Sequence, residues 1–174
     1  GNDIFKLCEE LFPINRSLTG SGVRESLAII KRELPNLKIN EIPSGTKCFD
    51  WKIPKEWNIN DGYVIDPNGN KIIDFKENNL HVMSYSTSVK KTVNLENLES
   101  HLYSLPDNPN AIPYITSYYN NSWGFCLSQN DRLKLKKGDY EVFIDSALFD
   151  GSLTYAELLI EGKSKKEIFF STYI

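Results

Sequence analysis

The stretch that decides the fold runs from residue 153 to residue 174 and reads LTYAELLIEGKSKKEIFFSTYI. It predicts two strands, 153–160 and 168–174, joined by a polar connector that contains Gly162. The second run has β-branched and aromatic residues and no charge, which is typical of a strand buried on both faces in the middle of a sheet. We therefore expect the natural polypeptide to continue beyond Ile174. The alternative is a terminal strand that lies between neighbours in a complete domain.

Upstream of this stretch, short strand-like runs alternate with proline and glycine turns. Residues 63–65 and 71–75 flank an Asp-Pro-Asn-Gly turn and predict a hairpin. Five further runs have the composition of strands, and the third and fourth are expected to pair with each other: residues 37–42, 80–85, 114–119, 123–127 and 140–144.

Helices are predicted mainly before residue 35. Asp3 can cap a first helix that ends at Pro13, and Ser21 can cap a second helix that ends at Pro35. Each carries an apolar stripe at helical spacing: Ile4, Leu7, Cys8 and Leu11 in the first, and Val23, Leu27, Ile30 and Leu34 in the second. Asn94 and Ser128 are expected to cap two short helices further along.

This order of elements favours an α+β fold, or an α/β core that is split by a β-rich insertion. Near Pro43 the sequence changes from helical spacing to short strand-like runs broken by prolines and turns, and it changes again near Gly138. These two changes favour the insertion. We therefore predict three segments: a helical piece at 1–43, a β-rich inserted domain at 44–137, and the first core strands at 138–174.

Composition excludes several classes of function. With 40% hydrophobic and 25% charged residues, the 174-residue chain has the composition of a globular protein. A net charge of −3 without any basic block argues against nucleic acid as a partner, and no apolar run approaches the roughly 20 residues that span a bilayer. Three widely separated cysteines, an odd number, indicate reduced thiols and a cytoplasmic location.

Metal and nucleophile motifs are not present in the sequence. His81 and His101 are twenty residues apart, and neither lies in an HExxH motif or near paired cysteines. Each histidine is therefore expected to be structural rather than a ligand. A Cys–His pair that uses Cys126 is a further alternative, but the run Gly124-Phe125-Cys126-Leu127 predicts a buried and inert thiol. We predict neither a catalytic residue nor a metal ligand in this chain.

Two groups of residues are candidates for substrate binding. The loop with Arg16, Ser17, Thr19 and Gly20 precedes a helix and could hold an anion there, although a surface loop with a helix cap explains the same pattern. Arg16 and Arg24 could also pair with nearby glutamates, Glu9, Glu10 or Glu25.

The second candidate group is aromatic. Tyr118, Tyr119 and Trp123, with Tyr114, could stack on a sugar or a peptide side chain. A hairpin that packs the same rings into a core explains the pattern equally well.

Several separated phrases together resemble a known family, and they extend over nearly the whole chain. They are LFPINRSLTGSGVR at 11–24, IPSGT at 42–46 with FDW at 49–51, TSYY at 116–119 with WGFC at 123–126, and GSLTY at 151–155 with STY at 171–173. In these phrases the chain is similar to the N-terminal part of bacterial zinc aminopeptidase-like proteins, which are often described as polysaccharide-biosynthesis proteins.

The resemblance implies a zinc-exopeptidase α/β core, interrupted after its first helices by a β-rich domain of unknown function. It also implies that the strand at 169–174 continues into a Cys-His-Pro segment whose histidine binds zinc. In the whole family protein, zinc would activate water and a nearby glutamate would take its proton. This chain ends before those residues, so we expect no cofactor here and zinc only in the full-length family.

The resulting hypothesis is a non-catalytic N-terminal portion of an aminopeptidase-like hydrolase that contributes substrate access or cleft contacts. Its partner would be the remainder of its own peptidase domain, and its substrate a peptide or an amino sugar. The alternatives are a stand-alone glycan- or peptide-binding module with an aromatic lining, and a scaffold or oligomerisation domain. A homo-oligomer would hide the apolar face that we expect near 169–174.

Overall fold

A computed structural model of the protein describes residues 2–173. Its helices are α1 Asn2–Leu11, α2 Ser21–Glu33, α3 Leu95–Glu99 and α4 Gln129–Arg132, with a 3₁₀ turn at Asn79–His81. Its strands are β1 Lys38–Pro43, β2 Lys47–Cys48, β3 Trp51–Lys52, β4 Glu56–Ile65, β5 Lys71–Asp74, β6 Val89–Asn94, β7 Leu102–Tyr103, β8 Phe125–Cys126, β9 Asp139–Phe149 and β10 Ser152–Glu157. The mixture of helices and strands agrees with the predicted α+β class.

The chain divides into two compact units. The first, here called the outer unit, combines the described residues up to Glu56 with those from Asp150 onward. The second, the middle unit, is the continuous segment Trp57–Phe149. The outer unit is therefore discontinuous in sequence.

In the outer unit, β1 pairs antiparallel with β10, from Lys38 opposite Glu157 to Pro43 opposite Ser152. The predicted stripe on α2 supplies the core: Val23 and Leu27 are buried with Leu37, and Ile30 and Ala156 pack against them. Helix α1 has no buried residue, so its apolar stripe does not contribute to this core.

In the middle unit, a four-stranded sheet has the order β5-β4-β9-β6, and a parallel pair joins β7 to β8. The largest buried cluster packs on this sheet and includes Val64, Phe125, Tyr140, Val142 and Ile144, each at most 1% exposed. The predicted hairpin is confirmed, because Tyr63 and Val64 pair with Asp74 and Ile73.

Side-chain caps confirm the two short helices. The Asn94 side chain accepts a hydrogen bond from the backbone N–H of Asn97 at the start of α3. Ser128 likewise accepts one from Asp131 at the start of α4. These caps are local in sequence, which is why the residue types alone predict them.

One predicted strand and one predicted strand pairing in the middle unit are wrong. Residues 80–85 form a 3₁₀ turn followed by isolated bridges, Val82 to Phe125 and Ser84 to Thr116. The run 123–127 does not form a hairpin with residues 114–119. Phe125 and Cys126 instead pair in parallel with Leu102 and Tyr103, because burying this apolar run against α3 and β7 satisfies both faces.

The predicted pair of closing strands is also wrong in this structure. Only Ser152–Glu157 is a strand, and its ladder ends where its partner β1 begins at Lys38. Residues 168–173 have no strand conformation, and their large apolar side chains are exposed: Ile168 82%, Phe169 88%, Phe170 87% and Tyr173 100%. The expected exposed apolar face is therefore confirmed for 168–173, while Ile174 lies outside the described residues.

The unit boundaries also differ from the predicted segment boundaries. The breaks lie at 56/57 and 149/150, whereas the sequence texture placed them at 43/44 and 137/138. The difference at the second break arises from β9, which forms a six-residue ladder with β6 inside the middle unit. Apolar alternation in 140–144 identifies a strand but does not identify the sheet to which the strand belongs.

A small hairpin in the outer unit carries a strained aromatic residue. Cys48 pairs with Trp51, which leaves Phe49 and Asp50 as a two-residue loop. Such loops need a positive φ at their first residue, and Phe49 has a φ of 57° there while its side chain is 99% exposed. A bulky residue with a positive φ destabilises the folded state by about 1–2 kcal/mol, and an exposed side chain gains no burial energy that would offset this.

We predict that Phe49→Gly does not destabilise the protein and raises its free energy of unfolding by up to about 1 kcal/mol, since relief of strain exceeds the entropic cost of glycine. Urea unfolding at neutral pH measures this. Asp50→Gly is the matched control and should destabilise slightly, because position 50 lacks a positive φ. A less stable Phe49→Gly variant would contradict the assignment of strain.

Candidate functional site

The loop before α2, which we considered for anion binding, is organised by backbone contacts. The guanidinium of Arg16 donates to the carbonyl oxygens of Leu11 and Ile14, at the C-terminal end of α1. Unsatisfied carbonyls at a helix end attract a cation, so Arg16 acts as a cap for α1. Its predicted pairing with a nearby glutamate is not among its observed hydrogen bonds.

The rest of this loop is packed closely against α2. The Ser17 hydroxyl donates to the Thr19 carbonyl oxygen at 2.8 Å, and Thr19 is only 2% exposed. Gly20, with a φ of 103°, is the N-cap residue of α2 in place of the predicted Ser21, and it supplies no side-chain cap. A Cβ added at Gly22 would lie 1.9 Å from the carbonyl oxygen of Asn15, so this position excludes any side chain.

Gly22→Ala should therefore destabilise the outer unit by about 1–3 kcal/mol, because the clash is with backbone rather than with a flexible side chain. Thermal unfolding followed by circular dichroism measures the change. Gly162→Ala is the matched control, since nothing lies within 4 Å of its added Cβ. Equal melting temperatures for the two variants would contradict the close packing of this loop.

The predicted aromatic group is split between core and surface. Trp123 is only 9% exposed and belongs to the core of the middle unit. Its ring stacks on His101 with centroids 3.6 Å apart, and the Lys91 ammonium lies 4.7 Å from its ring centroid. These contacts assign Trp123 a packing role, and residue type alone does not distinguish this buried ring from the exposed tyrosines nearby.

The two tyrosines of the group remain accessible. Tyr118 is 38% exposed and Tyr119 is 62% exposed. Tyr118 lies edge-on to buried Tyr85 at 5.2 Å, and Tyr85 in turn stacks on Trp57 at 5.8 Å. Tyr118 therefore stands at the surface end of an aromatic row within the middle unit, whereas Arg16, Ser17, Thr19 and Gly20 belong to the outer unit.

A buried ion pair in the outer unit joins Arg24 to Glu56, which is not one of the nearby glutamates predicted to pair with Arg24. Arg24 donates to both carboxylate oxygens of Glu56, and Glu56 is only 3% exposed. The same carboxylate accepts the backbone N–H of Ser152 at 3.1 Å. Arg24 also lies 3.8 Å from Glu41, so α2, β1 and the start of β10 converge on one cluster of charges.

The opposite charges of Arg24 and Glu56 stabilise each other. The hydrogen bond to Glu56 raises the pKa of Arg24 further above its ordinary value, so the guanidinium is charged at every working pH. Burial of a carboxylate is costly unless it is paired and hydrogen-bonded. The pair is 32 residues apart in sequence, so no local spacing could reveal it.

Glu56→Gln should lower the free energy of unfolding by about 1.5–3 kcal/mol, because it removes charged hydrogen bonds and leaves Arg24 without its buried partner. Chemical denaturation at neutral pH measures this. Glu10→Gln is the control, because it breaks the exposed pair with Arg32 and should produce no measurable change. An equal decrease in the free energy of unfolding of the two variants would contradict a stabilising role for the buried Glu56 ion pair.

The histidines and the buried cysteine have structural contacts. His81 Nδ1 bonds the Cys126 carbonyl oxygen at 2.7 Å, and His101 Nδ1 bonds the Trp123 carbonyl oxygen at 2.9 Å. Burial raises the pKa of the Cys126 thiol to about 12, which confirms the inert character predicted for it. Among residues 2–173 no three His, Cys, Asp or Glu side chains lie close enough together to hold a metal ion.

A thiol-specific reagent at pH 8 should modify two cysteines per folded chain. Cys8 and Cys48 are exposed, whereas Cys126 is buried and almost wholly protonated at that pH. Mass spectrometry of the peptides identifies the modified positions, and addition of urea should make the third thiol reactive. Rapid labelling of Cys126 in the folded protein would contradict this account.

A search for membrane-crossing segments gave a negative result. Within the described part of the chain, none of the helices has both the length and the apolar character needed to cross a bilayer.

Comparisons with known proteins agree with the predicted resemblance. The chain is 56% identical over 173 residues to a Clostridium acetobutylicum protein described as a "Putative polysaccharide biosynthesis protein with aminopeptidase-like domain". That match covers 99% of this chain but 40% of the relative, so the chain spans about two fifths of the relative's length. A crystal structure of a "putative peptidase" from the same organism matches with a TM-score of 0.85 and 57% identity, covering 89% of this chain and 36% of that one.

A family model matches residues 56–147, which are 92 of the 174 residues and closely follow the middle unit. The model is described as a domain of unknown function, DUF2172. The chain therefore belongs to the DUF2172 family and is related to proteins that carry an aminopeptidase-like domain.

Proposed function

We propose that this chain is the non-catalytic N-terminal portion of an aminopeptidase-like hydrolase and that its main partner is the remainder of the same peptidase domain. The uncovered run at 168–173 carries this proposal. Phe169 and Phe170 are each nearly 90% exposed, in a segment whose composition is that of an interior strand. Burial of one phenylalanine from water contributes about 1.5–3 kcal/mol, so this run favours a covering partner.

Two other features of the outer unit support the same partner. Phe49 projects from its hairpin at a cost in strain, and strain that persists on a surface is a feature of functional contacts. Helix α1 presents Phe5 at 63% and nearby Phe12 at 83% exposure. In the proposed whole protein these side chains pack against the peptidase portion.

Substrate contact is the second part of the proposal. In the proposed enzyme, the exposed rings of Tyr118 and Tyr119 and the loop with Ser17 border the approach to the catalytic cleft. Trp123 lies in the core of the middle unit, and Arg16 fixes the end of α1. The substrate class is a peptide or an amino sugar, the location is cytoplasmic, and zinc belongs to the remainder of the protein.

A second candidate function is a binding module for glycans or peptides that acts without a peptidase. The exposure of Tyr118 and Tyr119 on one loop favours it, because exposed aromatic faces are suited to stacking on sugars. The burial of Trp123 removes one of the four rings on which this alternative was based.

The proposal predicts that the 174-residue chain hydrolyses no aminoacyl-nitroanilide and retains no zinc after dialysis. Elemental analysis and a chromogenic assay at neutral pH measure both quantities. One zinc ion per chain that is lost in His81→Ala or His101→Ala would overturn the non-catalytic assignment. Turnover that a chelator abolishes would overturn it as well.

A further inference from the structure

A polar cleft of about 520 Å³ lies on the middle unit and is not used by the proposed function. Its walls come from the start of β5, the 3₁₀ turn, the loop at 110–112 and the region of α4. Its volume falls within the range of small-molecule sites, about 300–1,000 Å³. All of its residues belong to Trp57–Phe149, so it does not depend on the outer unit.

His81 offers a fixed acceptor to this cleft. The Cys126 carbonyl can only accept a hydrogen bond, so the Nδ1 atom of His81 carries the proton in their 2.7 Å contact. With the proton of this contact on Nδ1, Nε2 is the imidazole atom that can accept a hydrogen bond. Because the ring is held through Nδ1, its orientation is set before any ligand arrives.

Two asparagines on opposite walls are similarly organised. The side-chain amide of Asn130 donates to that of Asn110 at 2.7 Å. Each amide has further capacity after this bond, so Asn110 keeps donor hydrogens and Asn130 keeps an acceptor oxygen. The backbone N–H of Asn130 also donates to the Pro109 carbonyl oxygen at 3.1 Å, which holds the two walls together.

The charges beside the cleft largely cancel. Asp131 accepts hydrogen bonds from Lys134 at 2.7 Å and from the Ser128 hydroxyl at 2.6 Å. These bonds lower the pKa of the Asp131 carboxyl, so it stays ionised at neutral pH and neutralises Lys134. Glu77 is the remaining charged residue of the wall, and it is exposed.

The chemistry of this lining selects among ligand classes. A simple anion would meet the Glu77 carboxylate, because Lys134 is already paired with Asp131, and a compact cation would leave the amide donors unused. Hydroxyl groups both donate and accept, so a ligand with several hydroxyls can match the acceptor on His81 and the mixed amides. Ile72 and Ile112 add apolar contact for the C–H face of such a ligand.

We propose that the cleft bordered by His81, Asn110, Asn130 and Asp131 is a binding site for a neutral sugar unit. The imidazole and the two amides bind ring hydroxyls, and the isoleucines contact the ring carbons. This site is distinct from Tyr118, Tyr119 and Trp123, and it does not rest on the proposed peptidase partnership.

The two histidines of the chain make the test direct, since each gives one Cε1–H signal in a ¹H–¹³C NMR spectrum. Glucose and N-acetylglucosamine are the probes, and ethylammonium and inorganic phosphate represent the other ligand classes. We expect at least one sugar to shift the His81 signal in a saturable manner. The His101 signal should stay fixed, because that ring is stacked on Trp123.

Asn110→Ala should weaken sugar binding about tenfold by removing a hydrogen-bonding amide. Asn121→Ala is the matched control at an exposed position outside the cleft, and it should bind normally. Asn130→Ala, which removes the second amide, is a further variant in case Asn110→Ala is unstable, and it should weaken sugar binding to a similar extent. An unchanged His101 signal reports that each variant is folded.

Three results would overturn the proposal. One is that neither sugar moves the His81 signal. Another is that ethylammonium or phosphate binds more tightly than both sugars. The third is that Asn110→Ala and Asn130→Ala, both folded, bind as tightly as Asn121→Ala.

Discussion

The carboxylate of Glu56 is the group on which the outer unit depends. It is buried and charged, and it binds the guanidinium of Arg24 and the backbone N–H of Ser152 together. A Cβ added at Gly151 would lie 2.3 Å from its Oε2 atom, so that glycine is also required. One side chain thus joins helix α2 to the chain where it returns from the middle unit.

The ladder between β1 and β10 follows from the same constraint. Six paired residues connect segments that are more than a hundred positions apart, and their cost in loop entropy is reduced because the middle unit folds between them. A two-stranded sheet is marginal by itself, and here it is supported on one face by Val23 and Leu27 of α2. Beyond Glu157 the ladder has no partner residues, and the apolar run at 168–173 is left uncovered.

The features that could be predicted are those that local sequence determines. The stripe on α2, the hairpin around Asp66 and the caps Asn94 and Ser128 all involve neighbours within about one helical turn or one tight turn. The parallel pairing of Phe125 with Leu102 and the assignment of β9 to the middle sheet were not predicted, because apolar runs do not encode their partners.

The candidate site residues were also predicted only in part, because residue type does not determine which groups a side chain contacts. Residue type identified Arg16 and Trp123 as chemically capable, yet one caps a helix and the other fills a core. Glu56 was not predicted as an important residue because its partner Arg24 is distant in sequence. The cleft at His81 combines four separate segments, so only the fold brings its amides and imidazole together.

The proposed function requires residues 168–173 to form an interior strand of a larger domain to which the outer unit contributes. The most direct measurement is amide hydrogen exchange of these residues in two proteins. One is the 174-residue chain, and the other is a chimera in which this chain replaces the matching portion of the Clostridium acetobutylicum relative. The account predicts fast exchange in the chain and exchange slowed about a hundredfold or more in the chimera, since paired strand amides exchange only through local opening. Equally fast exchange in a folded chimera would contradict it.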